Sequence, residues 1–124
     1  MSRPIKLPVK PRLKVWFELD GEYAFGFGLC EILRVIRETG SIKAAAAQIR
    51  KSYRHVWGRL KEAETILGRP LVQSRVGGRQ DHRSELTAEA EQMLDGFLSL
   101  RTTMQSVLEA EFQKCFGEHQ SVTE

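Results

Sequence analysis

The sequence predicts a mostly α-helical chain with two small β-hairpins and a long C-terminal helix. Three observations carry that expectation. Apolar residues recur at helical spacing from Gly28 to Leu67 and again from Thr87 to Phe116. Two short β-prone stretches surround tight-turn signals at Asp20-Gly21 and Gly77-Gly78. The 124 residues are 41% hydrophobic and 28% charged, an ordinary balance for one globular domain.

Several classes drop out at once. No stretch approaches the roughly 20 apolar residues of a membrane span. Met1-Ser2-Arg3-Pro4-Ile5-Lys6 has no apolar core behind it, so it is not a secretory signal. Cys30 and Cys115 cannot build a disulfide framework or a thiolate cluster. A cytoplasmic domain is expected.

The elements follow in order. Residues 1–12 hold Pro4, Pro8 and Pro11 among lysines and arginines, and read as a flexible basic arm. A first strand is expected over Leu13–Leu19, a turn at Asp20-Gly21 and a returning strand from Glu22 to Phe27. Leu29, Ile32, Leu33 and Ile36 then line one face of a helix that Gly40 stops. Ser41 can cap a short helix through Ile49, and Ser52 can cap a third that reaches Leu67 before Gly68 and Pro70. On that third helix Tyr53, Val56, Trp57, Leu60, Ala63 and Leu67 fall on one side. Arg54, His55, Gly58, Lys61 and Thr65 fall on the other. A strand is expected over Leu71–Val76, a flexible loop over Gly77–Arg83 and a return at Ser84-Glu85-Leu86. Thr87 then caps the last helix.

Charge is segregated along this order. The net charge is +3, yet residues 50–83 carry nine cations against three acids, while residues 84–124 carry a net of −6. A basic middle between acidic flanks points to an anionic partner, with nucleic acid the first candidate.

The second and third helices sharpen that reading. Ala44 to Ala47 give the second helix almost no bulk, so a neighbour can cross it closely, with Trp57 and Leu60 filling the space beside it. Two helices joined by so short a turn describe a helix-turn-helix, whose second helix enters the major groove. Ser41, Lys51, Ser52, Tyr53, Arg54, His55, Arg59 and Lys61 are the expected DNA contacts of this motif. An arginine can bond guanine O6 and N7 in a fork worth roughly 1–3 kcal/mol of discrimination. The basic hairpin after it, with Arg75, Arg79 and Arg83, reads as a wing reaching phosphates or the minor groove. A plain helical hairpin packed in a core is the bland alternative, and the basic wing argues against it.

In the last helix Met93, Phe97, Leu100, Met104 and Val107 step by 4, 3, 4 and 3, a coiled-coil-like rhythm. A helix of roughly 29 residues is about 43 Å long, more than a domain this size covers alone. Those five residues are the expected dimer interface. The division is then 1–12 arm, 13–86 winged helix-turn-helix, 87–116 dimerisation helix and 117–124 tail.

The ordered series Phe17-Glu18-Leu19-Asp20-Gly21-Glu22, Phe25-Gly26-Phe27-Gly28, Glu38-Thr39-Gly40-Ser41-Ile42, Ser52-Tyr53-Arg54-His55-Val56-Trp57, Gly68-Arg69-Pro70-Leu71-Val72, Gly77-Gly78 and Leu86-Thr87 resembles the N-terminal domain of the molybdate-responsive, ModE-type transcriptional regulators. It is similar, less closely, to the DNA-binding domain of the LysR-type regulators. The resemblance implies a winged helix-turn-helix that binds operator DNA, with a palindromic site, as a homodimer. Members of the ModE type continue into molybdate-binding C-terminal domains; residues for these are lacking here, so tight molybdate binding is not expected. The wing also departs from the type, running Arg79-Gln80-Asp81-His82-Arg83 rather than through glycines, and Ala90 stands where such domains often have glycine.

Enzymatic readings fail on inventory. His55, His82 and His119 are too scattered for a metal site or a catalytic triad. Gly26-Phe27-Gly28 lacks the further glycine and the lysine of a phosphate loop. No cofactor, metal or catalytic residue is expected. The competing reading is a winged-helix module that binds a protein partner and never DNA, which has little need of so basic a segment.

Overall fold

The computed structural model describes residues 8–77 and 81–117. Residues 8–15 take no regular secondary structure, and the rest of the expected arm lies outside the described residues. Strands β1 (Trp16–Leu19) and β2 (Glu22–Gly26) pair antiparallel, Phe17 opposite Phe25. Asp20 and Gly21 join them with φ of 52° and 82°, the left-handed pair that a two-residue hairpin turn demands. The expected first strand starts three residues later than Leu13, and Phe27 opens the next helix instead of closing β2.

Helix α1 (Phe27–Thr39) buries Leu29, Cys30, Ile32, Leu33, Val35 and Ile36. Gly40 ends it at φ 73°, its N–H donating to the Ile36 carbonyl at 2.7 Å. Helix α2 (Ile42–Ile49) starts where the Ser41 hydroxyl accepts the Ala44 N–H at 3.0 Å. Helix α3 (Tyr53–Leu67) starts likewise, with Ser52 Oγ accepting the His55 N–H at 2.9 Å. Ala45 and Ala46 are buried beside Val56 and Leu60, so the small α2 residues do admit α3 closely.

Strands β3 (Val72–Gly77) and β4 (Asp81–Leu86) form the second hairpin, with Arg75 opposite Arg83 and Ser74 opposite Ser84. Of the expected loop over Gly77–Arg83, Gly77 and residues 81–83 are strand, and residues 78–80 lie outside the described residues. Cross-strand bonding continues outward, and the Ser84 N–H is tied to the Gly40 carbonyl at 2.9 Å. Thr87 locks the exit: its N–H donates to Leu71 at 2.9 Å, its hydroxyl donates to the Pro70 carbonyl at 2.9 Å, and the same oxygen accepts the Ala90 N–H at 3.2 Å. Helix α4 (Ala88–Phe116) follows.

The core closes on three rings. Phe17 and Phe25 stack at 6.0 Å, and Phe97 meets them edge-on at 5.3 and 5.2 Å. Phe97 is 0% exposed, so its expected place in a dimer interface is wrong; the first turns of α4 use it to seal their own domain. The compact unit accordingly runs Val15–Leu98, dividing inside α4 rather than before it, because Ala90, Leu94 and Phe97 belong to this core. The described parts of 1–14 and 99–124 group as a second unit. There Leu100, Met104 and Val107 are 42%, 40% and 47% exposed, whereas Met93 of the first unit is half-buried.

Candidate nucleic-acid interface

Helix α3 presents three faces. Val56, Leu60 and Ala63 are buried and lie within about 60° of one another at about 100° per residue. Arg54, Gly58, Lys61 and Thr65 are exposed on the opposite side. Trp57 is turned about 90° from the buried face, and it is 44% exposed rather than packed beside α2 as expected. Tyr53, one turn earlier, is 51% exposed. Sequence periodicity placed both inward because a position at the rim of an apolar stripe counts as part of it. The telling signal was Lys61 one turn beyond Trp57, with its ammonium 5.3 Å from the indole centroid.

The exposed cations divide by what holds them. Arg59, an expected DNA contact, is turned off the outer face: it pairs with Glu62 at 3.5 Å and lies 5.8 Å from the Tyr23 ring centroid. Lys61 is held by Glu64 at 3.2 Å, and Arg75 by Glu85 at 3.4 Å. Arg83 lays its guanidinium against Gly40, where any Cβ would collide with it. Among the described residues, nothing bonds the side chains of Lys51, Arg54 or His55. Arg54 stands on the first turn of α3 with its five donors uncommitted. Arg79 lies outside the described residues.

Ser41 and Ser52 use their oxygens as acceptors at the caps, which leaves each hydroxyl proton available to a phosphate. Lys51 and Ser52 are exposed, and Ser41 is half-buried. Arg50, which sequence reasoning passed over, sits in the turn between α2 and α3 at φ 61°.

Glu64 underpins this arrangement. Burial pushes its carboxyl up, but the Leu71 N–H at 2.8 Å, the Lys61 ammonium and the Val72 N–H outweigh that and hold it below the usual carboxylate range. The carboxylate thereby ties α3 to the start of β3. No group of three or more potential metal ligands occurs among the described residues, and no described helix is long and apolar enough to cross a membrane.

Two helices at a tight turn, followed by a two-stranded hairpin, define a winged helix-turn-helix. Residues 27–91 match the bacterial regulatory helix-turn-helix proteins of the lysR family, and the chain belongs to that family. It is also 32% identical over 74 residues to the transcriptional regulator ModE of Haemophilus influenzae, a match covering 60% of this chain and 29% of that protein. Two solved structures share the fold. ArgP from Mycobacterium tuberculosis superposes with a TM-score of 0.51 at 22% identity, over 70% of this chain and 30% of that one. The full-length LTTR LysG from Corynebacterium glutamicum, with bound effector arginine, gives 0.54 at 21% identity, over 69% and 29%. The chain thus spans under a third of the length of each of these proteins.

Proposed function

We propose that the chain is a cytoplasmic, sequence-specific DNA-binding regulator, ModE-like in its winged helix-turn-helix, with no catalytic role of its own. One observation carries the reading most: Arg54 is exposed and uncommitted at the start of the helix that follows the tight turn. Arg54 reads a base edge, and His55 and Tyr53 stand beside it. Lys51, Ser41 and Ser52 anchor phosphates, because cap hydroxyls and helix N-termini favour anions. The wing arginines Arg75, Arg79 and Arg83 add sequence-independent attraction, as does Lys61 from the outer side of α3. Arg59 contributes only long-range positive potential, held as it is beside Tyr23.

The same reading makes the protein a homodimer on a palindromic operator. Leu100, Met104 and Val107 supply an exposed apolar stripe on α4, with Met93 at its start. The identity with ModE supports the ModE-like assignment over a general lysR-type one. Selection from a random duplex library tests it: repeated capture on the full chain should enrich one palindromic sequence. Enrichment of no sequence, with binding equal on all duplexes, contradicts the sequence-specific reading, and a chain that binds no duplex favours a protein-binding winged helix.

A further inference from the structure

Between α3 and the β3–β4 hairpin lies a cleft of about 230 Å³. Leu60 and Val72 line it with apolar surface, and Tyr53, Trp57, Ser74 and Ser84 stand around it with polar hydrogens. Among the described residues, nothing accepts the Trp57 indole N–H, and the side-chain hydroxyls of Tyr53, Ser74 and Ser84 make no bond. Glu64 is the one acid in the lining, and its oxygens are already taken by Leu71, Val72 and Lys61. Lys61, whose ammonium lies over the indole, lines the cleft too, so it offers hydroxyl and indole donors, a cation and an apolar ring, with no free anionic acceptor. A chain of phosphate oxygens alternating with apolar sugar faces fits it well.

Trp57 also points along the helix flank, about 90° from the buried face and as far again from the outward side where Gly58 lies. Bases face the outward side of a recognition helix, and the flank next to a wing meets the strand that runs between the two. We propose that this cleft seats one sugar–phosphate strand of the duplex, with Trp57 as a neutral platform. Its ring packs on deoxyribose, and its Nε1–H donates to a phosphate oxygen. The proposal rests on the DNA-binding reading and assigns a residue that reading leaves unused.

The chain has two tryptophans, so Trp16→Phe leaves Trp57 as the sole reporter. Titration of that variant with a duplex of about two helical turns should change Trp57 fluorescence in step with binding followed by anisotropy. In the unaltered background, Trp57→Ala should weaken binding about tenfold on the selected duplex and on an unrelated one alike. Its salt slope should stay that of the parent, since no cation is lost. Trp57→Phe should recover part of the loss, because the ring remains. Saturable binding without any change in Trp57 fluorescence overturns the proposal and leaves the DNA reading intact. So does a Trp57→Ala variant that alters base preference instead of general affinity. A chain that binds no duplex at any salt overturns both.

Discussion

Arg50 holds the turn between α2 and α3 in the left-handed region, where a side chain costs roughly 1–2 kcal/mol that glycine avoids. Its N–H still caps α2, donating to the Ala47 carbonyl at 3.2 Å. Arg50→Gly should therefore raise the unfolding free energy by about 1 kcal/mol, since the strain relieved exceeds the entropy glycine adds to the unfolded chain. Denaturant melts will show it, and a destabilised variant contradicts the strain argument. Glu64 makes the opposite case, a side chain the fold depends on. Its carboxyl sits below its unfolded value, so the unfolded state binds more protons, and stability falls as pH drops through the folded pKa. Glu64→Gln should lose about 1 kcal/mol at pH 7 and approach the parent's stability near pH 3. A constant difference between pH 7 and pH 3 contradicts the assigned ionisation. Neither residue was legible in advance. Left-handed φ in an arginine and a carboxylate bonded to two backbone N–H groups several residues away are tertiary facts, which local pattern does not encode.

At the scale of elements, caps made the helices legible. Ser41, Ser52 and Thr87 each accept the N–H that their spacing implied, and Gly40 and Gly68 end helices at φ 73° and 71°. Register and strand length were harder, because β4 begins at polar Asp81-His82 and gains its order from pairing rather than from propensity. The rhythm of α4 hid a change of partner. Met93, Phe97, Leu100, Met104 and Val107 repeat evenly, yet Phe97 fills its own domain's core while Leu100, Met104 and Val107 stay exposed. Periodicity reports which residues share a stripe; what covers each turn depends on β1 and β2, far away in sequence. Two substitutions separate these roles. Phe97→Ala should cost about 3–5 kcal/mol by emptying the space against Phe17 and Phe25. Met104→Glu with Val107→Glu should leave the melt of the domain nearly unchanged but yield a monomer by light scattering. A parent chain that is monomeric at tens of micromolar, with and without DNA, contradicts the dimer.

For the whole molecule, charge carries the argument. The excess of cations in residues 50–83 survives folding as a division of labour: Arg59, Lys61 and Arg75 are held by Glu62, Glu64 and Glu85, and Arg54 and Lys51 remain uncommitted. Uncommitted cations on one helix and its preceding turn can exchange counterions for phosphates without breaking an internal pair, so binding should weaken steeply with salt. Segregation along the chain was visible from the sequence; which cations are free was not, since that depends on side chains three to ten positions apart meeting in space. The most direct test is the ratio of affinities for the selected duplex and an unrelated duplex, measured for the parent and for Arg54→Ala at one salt concentration. If Arg54 reads a base, the substitution should cost about 1–3 kcal/mol on the selected duplex and much less on the other, so the ratio collapses. Arg79→Ala should instead weaken both about equally and lower the salt slope by about one. An Arg54→Ala variant that loses the same affinity on both duplexes, with its ratio unchanged, would contradict the assignment of α3 as the reader of sequence.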